Sequence, residues 1–167
     1  AHPYIRHRIV LDRGEGRVHL ATRILRSAEP LLDLFLCFPF AAEGARLCYE
    51  GTLCTVRLTE DLLPGAASDD LAVQNGVLVR SREHALLWSS LDAPVACLGA
   101  LRRGAVSPAH RALFDAAEAH PPLEGEDYRH GWVYAHLYAN NFGTNFAVSQ
   151  SGDALFRVVL TPLAAET

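Results

Sequence analysis

The densest set of hydrogen-bonding side chains in the sequence is the run Asn140-Asn141-Phe142-Gly143-Thr144-Asn145-Phe146. Asparagine carries an amide donor beside a carbonyl acceptor, a pairing that matches sugar hydroxyls and that equally closes a loop on its own backbone through Asx-turns. Both uses stay open for Asn140, Asn141 and Asn145. Just upstream, Trp132, Tyr134, His136 and Tyr138 alternate with Val133, Ala135 and Leu137, which in a strand places the two sets on opposite faces. An aromatic face with polar tips suits a stacked sugar ring or a neighbouring domain. The opposite assignment, with the aromatic face inward and the aliphatic face under a loop, fits the pattern equally well.

No catalytic fingerprint accompanies these groups. The sequence has no phosphate-binding glycine loop, no G-x-S-x-G, no H-E-x-x-H and no dinucleotide glycine pattern. Its eight histidines and four cysteines are not set at zinc-ligand spacings, so no metal or other cofactor is expected within this chain. Cys37 and Cys54 stand in apolar or alternating contexts where a reduced thiol packs as a small hydrophobe. A Cys48 to Cys54 bridge across a hairpin is the lesser alternative. The acidic pairs Asp69-Asp70 and Glu126-Asp127 have carboxyls for acid–base work, but pairs of this kind are more often solvated loop residues and are read that way.

These groups need a scaffold, and strand signals supply one along nearly the whole chain. Arg6 to Leu11 reads as a strand, closed by the turn Asp12-Arg13-Gly14-Glu15-Gly16. Arg17 to Leu25 alternates, with Val18, Leu20, Thr22 and Ile24 on one face and Arg17, His19, Ala21 and Arg23 on a wet one. Leu31 to Phe40 is a continuous apolar run, as expected for a strand covered on both faces. Gly51 to Thr59 alternates again, before a Pro64-Gly65 turn. Further strands are expected at Val73 to Arg80, Ala85 to Ser90, Val95 to Leu98, Trp132 to Tyr138 and Leu155 to Thr161. Nine short strands without long helices between them point to an all-β, antiparallel β-sandwich. One short helix is expected over 107–119, where Ser107 caps, Pro108 takes the first helical position and an alanine-rich stretch follows.

The composition agrees. The chain has 167 residues, 50% apolar, 20% charged and 8% aromatic, with a net charge of −4. This describes one globular domain over 1–167, of a size that buries roughly 70% of its unfolded surface. Disorder, a collagen repeat and a disulfide-dependent scaffold are excluded. All 15 basic residues are arginine and they are scattered, so nucleic acid is not an expected partner. The longest apolar run, Leu34 to Ala42, is about half a membrane span and holds a proline, and no signal peptide is visible, so no membrane partner is expected. The absence of an Asn-x-Ser/Thr acceptor favours a bacterial or cytoplasmic setting. The chain has no methionine and begins Ala1-His2-Pro3, and it is expected to be part of a longer protein.

A family resemblance runs along the same landmarks. Tyr138-Ala-Asn-Asn-Phe-Gly-Thr-Asn-Phe146, followed by Ser149-Gln150-Ser151-Gly152-Asp153 and Leu155-Phe156-Arg157-Val158, resembles the N-N-x-W-x-T-N-F…G…F-R signature near the end of glycoside hydrolase family 38 α-mannosidases. Phe38-Pro39-Phe40 looks like that family's F-P-F strand end. Leu63-Pro64-Gly65 with Asp69 and Val73-Gln74 resembles its L-P-G…D-W…V-Q segment, and Leu91-Asp92-Ala93-Pro94-Val95 with Leu98-Gly99 resembles its D-A-P-L…G segment. Phe142 stands near the motif's tryptophan, and Asp70 where the family has the indole of D-W. The resemblance implies a non-catalytic C-terminal β-sandwich of an α-mannosidase-like hydrolase. Its chemistry would reside in an N-terminal barrel that carries a zinc ion and an aspartate nucleophile, and that barrel would be this domain's partner. On that reading Asn140, Asn141 and Asn145 are the candidates for polar contact with substrate, and Arg157 holds their loop or joins the contact. The aromatic residues Trp132, Tyr134 and Tyr138 keep a second reading open: a free-standing carbohydrate-binding or assembly module with no hydrolase activity.

Overall fold

Two-residue alternation along strand after strand gives each one a dry face and a wet face, and two such sheets bury their dry faces by stacking. The computed structural model of the protein describes residues 4–27, 33–42, 44–63, 66, 70–101, 130–138 and 151–164. Among them run eleven strands: β1 (Tyr4–Asp12), β2 (Arg17–Arg26), β3 (Leu34–Pro39), β4 (Arg46–Gly51), β5 (Cys54–Arg57), β6 (Leu71–Ala72), β7 (Gly76–Arg80), β8 (Ala85–Ser90), β9 (Val95–Leu98), β10 (Trp132–Tyr138) and β11 (Gly152–Leu163). They form a larger sheet in the order β1-β2-β11-β8-β7-β4-β5 and a smaller one in the order β3-β10-β9-β6, with every pair antiparallel. The protein is an all-β sandwich. The helix expected over 107–119 lies outside the described residues, as do Asn140, Asn141 and Asn145.

The core forms where the two dry faces meet. Leu47, Val77, Val79, Trp88 and Val158 from the larger sheet pack against Phe38, Leu71, Ala96, Leu98, Val133 and Ala135 from the smaller one. Trp88 is its largest fully buried side chain and meets the Phe38 ring edge-on at 5.7 Å. At one end a second cluster closes around Ile24 and Tyr138, with Leu34, Ala154 and Phe156 against it.

Several sequence expectations change. Gly51 to Thr59 is not one strand: β4 ends at Gly51 and β5 begins at Cys54, so the chain reverses over Thr52 and Leu53. Cys54 faces Gly51 in that hairpin while Cys48 faces Arg57, which puts the two thiols at opposite ends of the ladder and leaves both free. Cys37 and Cys54 are exposed: Cys37 lies on β3, the edge strand of the smaller sheet, where Phe38 points into the core and Cys37 away from it, and Cys54 begins β5, the edge strand of the larger sheet. Cys97 is buried.

Candidate functional site

The wet face of the smaller sheet brings together the side chains with the most chemistry. In register, Tyr134 of β10 sits between Cys37 of β3 and Cys97 of β9, and His136 sits opposite Phe35. Val133 and Ala135, one step out of phase, are fully buried, so the aliphatic set forms the core face of β10 and the aromatic set points outward. The pattern holds only as far as His136. Between His136 and Tyr138 the pairing with β3 slips, with Phe35 opposite His136 and Leu34 opposite Tyr138, so that Leu137 is an extra residue on β10. Such a bulge reverses the facing of the residues beyond it. Tyr138 therefore turns inward, edge-on to Phe156 at 5.7 Å and under the Arg26 guanidinium at 4.6 Å. It does not join Trp132 and Tyr134 on one aromatic platform.

What the wet face does present is graded. Trp132, 39% exposed, stands at the rim, with the His130 ring at 6.0 Å and the Tyr134 ring edge-on at 6.2 Å. Tyr134 is buried to 8% exposure, with Cys37 as its direct neighbour across the β3–β10 ladder. Burial holds the Tyr134 hydroxyl above its ordinary pKa, reinforced by the two cysteines, and partial desolvation of the thiol of the otherwise exposed Cys37 raises it too. Beyond Tyr134, His136 is held on three sides. Its Nδ1 lies 3.1 Å from Asp70 Oδ1, its ring stacks on Phe35 at 4.3 Å, and its Nε2 is 3.9 Å from Asp33 Oδ1, too far for a hydrogen bond. The Cys97 thiol donates to the same Asp70 oxygen at 3.3 Å. Asp70 is an exposed bend residue, as expected, and it is also the acceptor for two side chains of the sheet. Its position beside His136 in space is invisible at a separation of 66 residues in sequence.

These contacts set the charges. The His136 hydrogen bond, against the opposing effect of burial and with help from Cys97, holds Asp70 below the ordinary carboxylate value. Burial pulls His136 down, but the hydrogen bond and charge of Asp70 together with the charge of Asp33 outweigh it and leave the imidazole raised above 6.5. The two directions fix how stability depends on pH. The raised imidazole adds stability that is fully present below pH 6.5 and is lost as pH rises through its folded value. The depressed carboxylate adds stability that is present above pH 3.8 and is lost as pH falls through its folded value. Thermal midpoints measured across pH should therefore be highest between these two limits, and Asp70→Asn should flatten the alkaline decline; an unchanged profile in that variant would contradict the pairing.

Arg157 lies elsewhere, on β11 of the larger sheet. Its Nε and Nη2 donate to the two oxygens of Asp92 at 2.9 and 2.8 Å, and its backbone N–H donates to Asp92 at 2.8 Å. The guanidinium is committed to the 91–94 turn. Leu91 N–H returns a bond to the Arg157 carbonyl at 3.0 Å. Among the described residues no three histidine, cysteine, aspartate or glutamate side chains converge. Compared with known proteins, the chain matches no family model and no curated protein.

Proposed function

We propose that the chain is the non-catalytic β-sandwich domain of an α-mannosidase-like glycoside hydrolase, packed beside the barrel that cleaves α-mannosides. The supporting observation is the Asp92–Arg157 lock. It ties together two segments that carry the family resemblance, Leu91 to Leu98 and Leu155 to Val158, across 65 residues of sequence. A third such segment joins them where Val73 N–H donates to the Pro94 carbonyl at 2.7 Å. Residues that look like scattered motif positions thus behave as a connected framework, the role expected of a supporting domain. The test is hydrolysis of an aryl α-mannoside by the protein of the complete reading frame. Zinc-dependent turnover is expected, and a reading frame with no catalytic barrel overturns the proposal. In that protein, Asn141→Ala with Asn145→Ala is expected to lower turnover; unchanged turnover with lowered stability reduces the asparagine loop to a structural part.

A second reading, carbohydrate binding without hydrolysis, is favoured by the exposed Trp132. The chain has two tryptophans and Trp88 is fully buried, so a sugar stacking on Trp132 would move the exposed component of the emission alone. Titration with a methyl mannoside is expected on this reading to give a saturable change that Trp132→Phe abolishes. No saturable change at millimolar sugar overturns it.

A further inference from the structure

The smaller sheet does not reach the end of the larger one. On β1, Ile5, Ile9 and Leu11 stand directly opposite Ile24, Leu20 and Val18 of β2, and directly opposed residues of an antiparallel pair share a face. These three therefore belong to the dry face that carries the core. Cover ends between the two strands: Thr22 and Ile24 are buried, whereas Ile5, Ile9 and Leu11 are 57%, 67% and 61% exposed. His7, the fourth residue of that row, has its Nδ1 2.9 Å from Thr22 Oγ1. Among the described residues this apolar strip is open to solvent.

β1 is also the end strand of the larger sheet, so the side turned away from β2 carries backbone N–H and C=O groups with no described strand beside them. The other sheet edges among the described residues are blunted: β6 has two residues, β5 has four, and β3 ends in Pro39. β1 has none of these devices. Its nine residues run in unbroken register with β2, without a bulge or a proline, and its inward row is apolar except for His7. A long apolar edge of this kind is a template for another strand.

We propose that β1 is a homodimer contact, in which two copies pair their β1 strands antiparallel about a two-fold axis at Ile9 and join the two larger sheets into one. The choice of a second copy follows from the charges along the strand. Antiparallel pairing about a two-fold axis keeps both dry strips on one side of the joined sheet, so opposed residues share a face. Centred on Arg8, the register sets Arg8 against its own copy; centred on His7, it sets Arg6 against Arg8 at two symmetric places. Like charges directly opposed destabilise a pair. Centred on Ile9, it puts Arg6 opposite Asp12 twice, Arg8 opposite Val10 and Leu11 opposite His7, with the two Ile9 side chains together at the axis. Moving the axis on to Val10 leaves a shorter pairing, from Arg8 to Asp12 alone. Both charges of the Ile9 register are available. Arg6 makes no ion pair among the described residues, and Asp12 uses only Oδ1 within its own turn, accepting from Gly14 and Glu15 N–H at 2.8 and 3.3 Å. The pairing runs from Arg6 to Asp12 of each copy, fewer residues than the roughly 20–30 a side of a standard interface, so the dimer is reversible and concentration-dependent. This contact does not depend on the mannosidase reading.

The test is sedimentation equilibrium of the 167-residue protein from micromolar to millimolar concentration. A reversible dimer of twice 18.2 kDa is expected. Ile9→Lys places two ammonium groups at the axis and should leave a monomer. The side chain is exposed in a single copy, so this variant should melt with the wild type at low concentration, and a loss of dimer is then not a loss of fold. Arg6→Glu turns both Arg6–Asp12 pairs into like-charge pairs and should weaken the dimer about tenfold, whereas Arg8→Glu, the same change of charge opposite Val10, should leave the affinity within about twofold. A monomer at every concentration would overturn the proposal and leave the strip to a different partner, such as another domain. So would a dimer that Ile9→Lys or Arg6→Glu leaves intact, or one that Arg8→Glu weakens as much as Arg6→Glu.

Discussion

Trp88→Ala is expected to destabilise the protein by about 3–5 kcal/mol, enough to consume a large part of the ~5–15 kcal/mol that holds a domain of this kind together. Trp88 has no exposed surface and meets Phe38 across the interface between the two sheets. Removing the indole opens a cavity at the place where β8 is wedged between β7 and β11. The site cannot collapse to fill it, because the opposite residue on β7 is Val77, itself fully buried in the same ladder. A neighbouring detail shows how closely the surroundings are fitted: a Cβ on Gly76 would lie 2.9 Å from the Trp88 carbonyl oxygen, so only glycine lets the strands approach there. Trp88→Phe should cost much less. Its ring still fills most of the space against Phe38, and the change removes an Nε1–H that is buried with no acceptor among the described residues, an arrangement that costs about 1–3 kcal/mol in the wild type. Urea unfolding of the two variants separates the effects. A loss below about 1 kcal/mol for Trp88→Ala would show that the inter-sheet contact is not what holds the sandwich.

The sequence marks this core well because its signal is local. Ala85–Ser90, Val95–Leu98 and Trp132–Tyr138 run over the residues that alternation indicates, and the inward set of β2, with Thr22 and Ile24 buried, is the one the pattern picks out. Failures come where a single residue alters the period without a sequence mark. The β4–β5 reversal passes through Leu53 at φ 61°, a conformation that bulky residues rarely take and that a glycine would have announced. The extra residue at Leu137 likewise leaves no trace in the composition of β10, yet it sends Tyr138 to the opposite face from Trp132.

The candidate site was legible only by halves. That Tyr134 and His136 share a face follows from strand period, but that this face points outward, and which groups partner them, do not. Cys37 and Cys97 reach Tyr134 because β3 and β9 flank β10, and Asp70 reaches His136 from just before β6, at the far edge of the sheet. Sheet order is a long-range property, and nothing in the spacing of His136 and Asp70 encodes it. The same holds for Arg157, whose sequence neighbourhood suggests the asparagine loop while its guanidinium is taken by Asp92.

Gly131→Ala should be nearly as damaging as Trp88→Ala, at about 2–5 kcal/mol, for a reason that combines backbone and packing. Gly131 adopts φ +65°, a left-handed conformation that costs an L-residue roughly 1–2 kcal/mol. A Cβ built there would also lie 3.1 Å from Ala42 Cβ and Val79 Cγ1 and 3.2 Å from Ala45 Cβ. Val79 and Ala45 are themselves buried, so they have little room to yield, and overpacking of this kind typically adds about 1–3 kcal/mol. The position leads directly into β10, where the Trp132 carbonyl accepts Gly99 N–H at 2.8 Å. A shift at Gly131 therefore loosens the start of the strand that carries Trp132, Tyr134 and His136, and the Asp70–His136 contact should weaken with it. Ala42→Gly in the Gly131→Ala background decides which cause dominates, because it removes one of the two nearest contacts and leaves the backbone conformation as it was. Recovery of half or more of the lost stability would mean that crowding is the larger part. No recovery would assign the cost to the left-handed backbone, and a wild-type melting temperature in the single variant would refute both.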